Sequence, residues 1–242
     1  MKWKTDVYDI KAKLFPSIAS LFVPAILYGY IFSSYLNAAS EIKDLFFSLL
    51  EGILPSALLF SALGFFLQSV NQIISKYLFQ APFFGKDGAY LPTTNNLYWN
   101  NLFYSSQKKT KIYTKIQSKY GISIQAKKVN KSAEANVRKD IVDAVNAIRN
   151  DYRKNKHNDI IIDNYNIQFG FSRNFLGGSI ISASLIILLI LLNMSFEFTT
   201  ESAPFVIAIV FFTFFEAAAI LMLDKSSKEY ADSLLSYFET QM

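Results

Sequence analysis

The chain contains no cysteine and a single histidine, His157. Disulfides, thiol nucleophiles and Cys-ligated zinc are excluded, and no His-rich metal set can form. Charge is sparse too. Charged residues make up 18% of the 242, against 52% hydrophobic ones, where a soluble domain carries about 25% charged residues. That deficit points to a membrane protein. Also missing are a phosphate-cradling glycine loop, an H-E-x-x-H pair, a nucleophile elbow and paired carboxylates with a plausible base. Their absence argues against an enzyme, and no cofactor is expected. No signal-peptide core with a small-residue cleavage site stands near the start, so Met1 to Lys13 reads as a cytoplasmic arm opening as a short amphipathic helix.

Phenylalanine is abundant instead, at 23 residues, an excess suited to lipid-facing helices. A spanning helix needs about 20 predominantly apolar residues. Four runs qualify: Leu14 to Leu36, with Pro16 at its start and Pro24 inside; Leu45 to Leu67, apolar in character as far as Phe79; Phe175 to Met194; and Pro204 to Leu223, with Pro204 in a first helical turn. A soluble bundle of this length could not bury four such helices. The expected fold is therefore an all-α or mainly α integral membrane protein. Four transmembrane helices would flank a small α(+β) cytoplasmic domain between the second and third. The domains are a cytoplasmic arm over 1–13, two spans within 14–79, a basic cytoplasmic domain over 80–173, two spans within 174–223, and a cytoplasmic C-terminal helix over 224–242.

Lys and Arg set the orientation, because they concentrate on the cytoplasmic side. Lys2, Lys4, Lys11 and Lys13 precede the first span. Gln80 to Arg173 holds 16 basic residues and an excess of nine positive charges. The loop from Ser195 to Ser202 has Glu197 and Glu201 and no basic residue. This pattern puts both termini in the cytoplasm.

Within the basic section, Pro82, Gly85, Gly88 and Pro92 mark an irregular connection, followed by the aromatic stretch NNLYWNNLFY (Asn95 to Tyr104). Ser106 to Tyr120 interleaves Lys108, Lys109, Lys111, Lys115 and Lys119 with Ile112 and Ile116, which share a helix face. Gly121 is placed as its C-terminal cap. A second helix is expected over Ser132 to Tyr152, with Ile141, Val145 and Ile148 on one stripe. Asp159 to Phe171 reads as a short strand. The positive charge can serve anionic lipid headgroups, a protein partner, or a nucleotide or nucleic-acid-derived ligand. In the last case Lys108, Lys109, Lys111, Lys115 and Arg173 would contact phosphates, and Tyr98, Trp99, Phe103 or Tyr104 would stack on bases. The aromatics could equally dock the section on the membrane surface.

Ionisable residues inside spans are costly and usually face a bundle interior or a water-filled path. Glu216 lies in FFTFFEAAAILML, beside Ala217 to Ala219, which let another helix approach closely. It can attract cations in an oligomeric pore, bind a proton, or serve as a hydrogen-bonded packing residue. Glu51 stands one turn before Pro55 and nearer an interface. Gln68, Asn71 and Gln72 share a helix face and can line an inner vestibule. Gly178 and Ser182 have the spacing of close helix packing.

Three segments carry a resemblance: LPTTNNLYW (Leu91 to Trp99), KKTKIYTKIQSKYGI (Lys108 to Ile122) and NIQFGFSRNFLGGS (Asn166 to Ser179). With the two-span, basic domain, two-span layout, the chain resembles small four-span membrane effectors of bacterial anti-phage defence, the Hailong-type and CBASS-like channel effectors. The resemblance implies a homo-oligomer, closed at rest, that permeabilises the inner membrane when its cytoplasmic section senses a nucleotide messenger. A partner nucleotidyltransferase would make that messenger. The rival expectations are a non-conducting sensor or adaptor that recruits a soluble partner, and a transporter subunit.

Overall fold

The computed structural model describes residues 7–38, 57–85, 88–125, 130–154, 159–197 and 199–241, with the side chains of 34–38, 57–63 and 131 outside that description. Every regular element among the described residues is helical. The principal helices are α1 (Phe22–Ala38), α2 (Ala57–Ile74), α3 (Ser106–Tyr120), α4 (Lys131–Lys154), α5 (Ile160–Phe196) and α6 (Ala203–Thr240). Ahead of α1 lie short helical turns at Val7–Asp9 and Phe15–Ala19 with a π-turn, Ile10–Leu14, between them. The chain divides into two compact units. The spanning unit is Met1–Phe79 with Gly170–Leu221, and the helical unit is Gln80–Phe169 with Met222–Met242.

Two expectations are corrected. Three helical stretches, not four, are long and apolar enough among the described residues to cross a membrane: Val7–Ser33, Ile160–Phe196 and Ala203–Thr240. Most of the expected span Leu45 to Leu67, including Glu51 and Pro55, lies outside the described residues. The part of α2 with described side chains carries Gln68, Asn71 and Gln72 among its apolar residues. The expected α(+β) domain is the second correction, since no strand occurs among the described residues and Asp159 to Phe171 is the start of α5. Asp159 explains this, because its Oδ1 accepts from the backbone N–H groups of Ile161 at 2.9 Å and Ile162 at 3.2 Å. That is an N-cap, which satisfies first-turn donors and starts a helix. Of the three consecutive isoleucines only Ile162 is buried, as on a helix with one packed face.

In the spanning unit, two prolines decide how the N-terminal helices meet α5. Proline has no N–H, so the carbonyl four residues before it loses its helical donor. Pro16 frees the Ala12 carbonyl, and Asn174 Nδ2 donates to it at 2.6 Å. Pro24 frees the Ser20 carbonyl, and the Ser182 hydroxyl donates to that one. Both pairs are eight residues apart and run in the same order, so the N-terminal helices and α5 are parallel. Small residues permit this proximity. A Cβ on Gly177 would meet the Asn71 carbonyl oxygen and lie 2.8 Å from Ser75 Cβ, and one on Gly178 would lie 2.7 Å from Asn71 Nδ2. Further along, Leu27, Ile31, Ile186 and Ala208 form an apolar contact among α1, α5 and α6. Asn193 closes the turn between α5 and α6, with Oδ1 accepting from Thr199 N at 2.9 Å and Nδ2 donating to Thr199 O at 3.1 Å.

The helical unit has its own core. From α3 come Ile112, Tyr113 and Ile116; from α4, Val137, Ile141, Ala144, Val145, Ile148 and Tyr152. Ile162 of α5 joins them, with Tyr230, Leu234, Leu235 and Phe238 of α6. The α4 residues recur at three- and four-residue intervals, the stripe an amphipathic helix buries. α3 has the expected ends. Ser105 Oγ accepts from Lys108 N at 3.2 Å, and Gly121 takes the left-handed conformation at φ 71° that a C-terminal cap requires.

Candidate functional site

Buried polar side chains of the spanning unit gather where the N-terminal helices and α2 meet α5. Ser17, Ser20, Asn71, Ser75, Ser172, Asn174, Ser179 and Ser182 are all buried. Hydrogen bonds join several of them: Ser75 Oγ donates to Asn174 Oδ1 at 3.3 Å, while Asn174 and Ser182 hold the two proline-freed carbonyls. Asn71 is fully buried, and neither of its amide atoms has a partner among the described residues. Gln68 and Gln72, expected on the same face, are half-buried beside it.

Glu216 belongs to this unit. It is half-buried on α6, and its Oε1 accepts from Ser179 Oγ at 2.7 Å. Ser179 is therefore the partner that reading the residues along α6 could not supply. The signal was present in the run of small residues from Gly177 to Ser184, but only the fold sets it opposite Glu216. Around Glu216, Phe211, Phe214 and Leu221 are exposed, whereas Ala219 is buried. A carboxyl joined to a serine on an otherwise apolar helix is costly to keep at membrane depth, and here the serine supplies one of its hydrogen bonds. An apolar groove of about 330 Å³ lies elsewhere in the unit, between Phe22 to Tyr30 and Pro204 to Phe215. Its lining is apolar apart from Tyr30, whose hydroxyl donates to Glu201 at 2.6 Å.

The expected ligand residues divide between the two units. Arg173 is in the spanning unit and half-buried. The lysines and aromatics are in the helical unit, where most of them are engaged. Lys109 is buried, and its ammonium donates to the carbonyls of Tyr98 at 2.7 Å, Trp99 at 3.4 Å and Asn101. Burial lowers its pKa from the ordinary lysine value. Lys108 reaches Ser236 Oγ at 3.0 Å, lies 3.8 Å from Asp232, and sits over the Tyr104 ring. Lys115 donates to the Glu239 carbonyl at 3.0 Å. Tyr98 is buried with Arg138 stacked on it, the guanidinium 3.9 Å from the ring centroid and 4.1 Å from that of Tyr90. Trp99 is half-buried. Lys111 is exposed, with no partner among the described residues. The stretch expected to bind an anion is thus largely a stretch that holds the helical unit together. Sequence reasoning missed Arg138, although Glu134 one turn earlier, its partner at 2.9 Å, marks the helix face.

Four tyrosines of this unit give it an alkaline limit. Burial pushes Tyr113 up to about 12. Burial, with the neighbouring carboxylates Asp232, Asp151 and Asp163 respectively, pushes Tyr104, Tyr120 and Tyr152 higher still. In the unfolded chain these phenols ionise near 10, while in the fold they keep their protons, so the folded form binds more protons above pH 10. Their stabilisation is fully present below pH 10, begins to fall as pH rises past 10, and goes on falling beyond 12. An alkaline titration of the detergent-solubilised protein, followed by tyrosinate absorbance and circular dichroism, should show the helical unit opening together with tyrosine ionisation. Non-cooperative ionisation at pH 10 with helicity retained would refute the burial of these rings.

No protein-family model matches the chain, nor does any curated protein or solved structure.

Proposed function

We propose that the chain is the pore-forming subunit of a gated ion pathway in a bacterial inner membrane, assembled from several copies. The observation that carries this reading is Glu216: a carboxyl inside an apolar helix, bonded to Ser179 of α5, in a unit with a buried seam of serines and asparagines. Polar groups at membrane depth are retained where they face a bundle interior or a permeation path. The excess of Lys and Arg between 80 and 173 supports a cytoplasmic position for the helical unit. Residues 230–238 share its core, which supports the same side for the C-terminal end.

The trigger in this proposal is a nucleotide messenger from a partner nucleotidyltransferase, acting in anti-phage defence. It must bind the conducting state more tightly than the closed one. Because Lys108, Lys109 and Lys115 are engaged within the unit, the messenger would compete for those contacts or use Lys111. The test is ion flux from liposomes containing the purified protein, with and without a panel of linear and cyclic nucleotides. Flux that a nucleotide switches on or off is the expected result. No flux under any condition, with a soluble protein co-purifying, would replace this reading by that of a non-conducting adaptor.

A further inference from the structure

The loop that enters α3 presents an apolar tip to solvent. Leu102 is 95% exposed and Phe103 55%. The loop is nevertheless held in place. Lys109 donates to three of its carbonyls, and Asn101 Oδ1 accepts from Phe103 N at 2.8 Å. The Phe103 ring stands edge-on to Tyr104 at 5.0 Å, and the Tyr104 hydroxyl donates to Asp232 at 2.8 Å. A lysine taken out of water fixes a turn that leaves Leu102 almost wholly and Phe103 more than half exposed.

We propose that this loop is a membrane-surface anchor, with Leu102 and Phe103 entering the headgroup layer of an anionic bilayer. Charge favours that partner. No acidic residue occurs between Asp87 and Glu134, a stretch containing eight lysines. The fold brings Asp232 and Glu239 to Lys108 and Asp151 to Lys119, and Lys111 stays uncovered on the first turns of α3. Basic groups beside an apolar tip are what an anionic lipid surface attracts. Size favours it as well. Two side chains cover at most a few hundred Å², while a stable protein interface needs about 800 Å² on each partner. Insertion into lipid has no such minimum. Finally, the chain carries its own spanning helices, so a bilayer is always at high effective concentration.

Because the protein has no cysteine, Leu102→Cys provides a single labelling site, and the exposure of Leu102 makes the substitution harmless to the fold. The full chain would carry an environment-sensitive fluorophore there and be reconstituted in phosphatidylcholine vesicles with or without phosphatidylglycerol. A second variant, Asn146→Cys on the exposed face of α4, serves as comparator. Quenching by shallow spin-labelled lipid should be several-fold stronger at position 102 than at 146, and stronger again with phosphatidylglycerol. Equal quenching at the two positions would overturn the proposal. So would a probe at 102 shielded from aqueous quencher but not reached by lipid quencher, with thiol crosslinking between copies, because the tip would then face a second copy of the chain.

Discussion

Phe238→Ala is expected to raise amide hydrogen exchange across α3 and α4 by roughly two to three and a half powers of ten. Phe238 is fully buried. Its ring stacks on Tyr120 at 5.9 Å, and Lys115 lies over it at 5.5 Å. Truncating a buried Phe removes its transfer free energy and leaves a cavity, at a cost of about 3–5 kcal/mol. Each 1.4 kcal/mol is a factor of ten in an opening equilibrium, which gives the expected change. The unit cannot absorb the loss easily, because its core is a single small cluster in which α6 supplies Tyr230, Leu234 and Leu235 beside Phe238. The measurement is exchange mass spectrometry on the solubilised full chain, reading peptides within 106–120 and 131–152. Exchange unchanged there would mean that the end of α6 is not part of that core. Peptides of α5 between 180 and 192 serve as an internal reference and should not change.

The second large effect follows from the proposed pore. Glu216→Gln keeps the shape of the side chain and the oxygen that accepts from Ser179, so assembly and expression should match the parent. The charge is lost. A unit charge about 4 Å from a permeating cation contributes roughly 4 kcal/mol at an effective dielectric constant near 20. Losing even a third of that lowers cation flux about tenfold. Liposome flux of potassium against that of a neutral solute is the readout, with the oligomer checked by crosslinking. A tenfold fall for the cation with the neutral solute unchanged would place Glu216 on the ion path. Equal flux in parent and variant would assign it to packing with Ser179 alone.

Local features were legible in the residues; pairings across the chain were not. α3 occupies Ser106–Tyr120 with Gly121 as its cap, because a cap and a helical period are properties of neighbouring residues. The stripe of Ile141, Val145 and Ile148 on α4 was readable for the same reason. The strand expected over Asp159 to Phe171 failed because a run of isoleucines suits a strand and a buried helix equally, and the capping carboxylate of Asp159 decided the matter. The number of spans came out at three rather than four among the described residues. Apolar content alone counted Leu45 to Leu67, of which most lies outside the described residues. Lys109 illustrates the other limit. Five lysines in twelve residues read as a surface for anions, yet one of them points inward to three backbone carbonyls, and composition cannot say which. Likewise Pro16 and Pro24 announced freed carbonyls, but that Asn174 and Ser182 would take them depends on contacts 162 residues distant.

The make-up of the helical core imposes an order on biogenesis. Leu97 through Tyr152 leave the ribosome well before Leu234, Leu235 and Phe238, and both long helices are synthesised in between. At about 5–20 residues per second, the roughly 80 residues from Tyr152 to Leu234 take on the order of 4–16 s. During that interval α3 and α4 have an incomplete interior, with Lys108 and Lys115 still lacking their partners at Ser236 and Glu239. On the topology proposed above, completion waits until the hairpin of α5 and α6 has crossed the membrane and returned. Maturation of the basic section is thereby tied to successful insertion, and a chain whose hairpin stalls is left with an unfinished domain open to proteolytic removal.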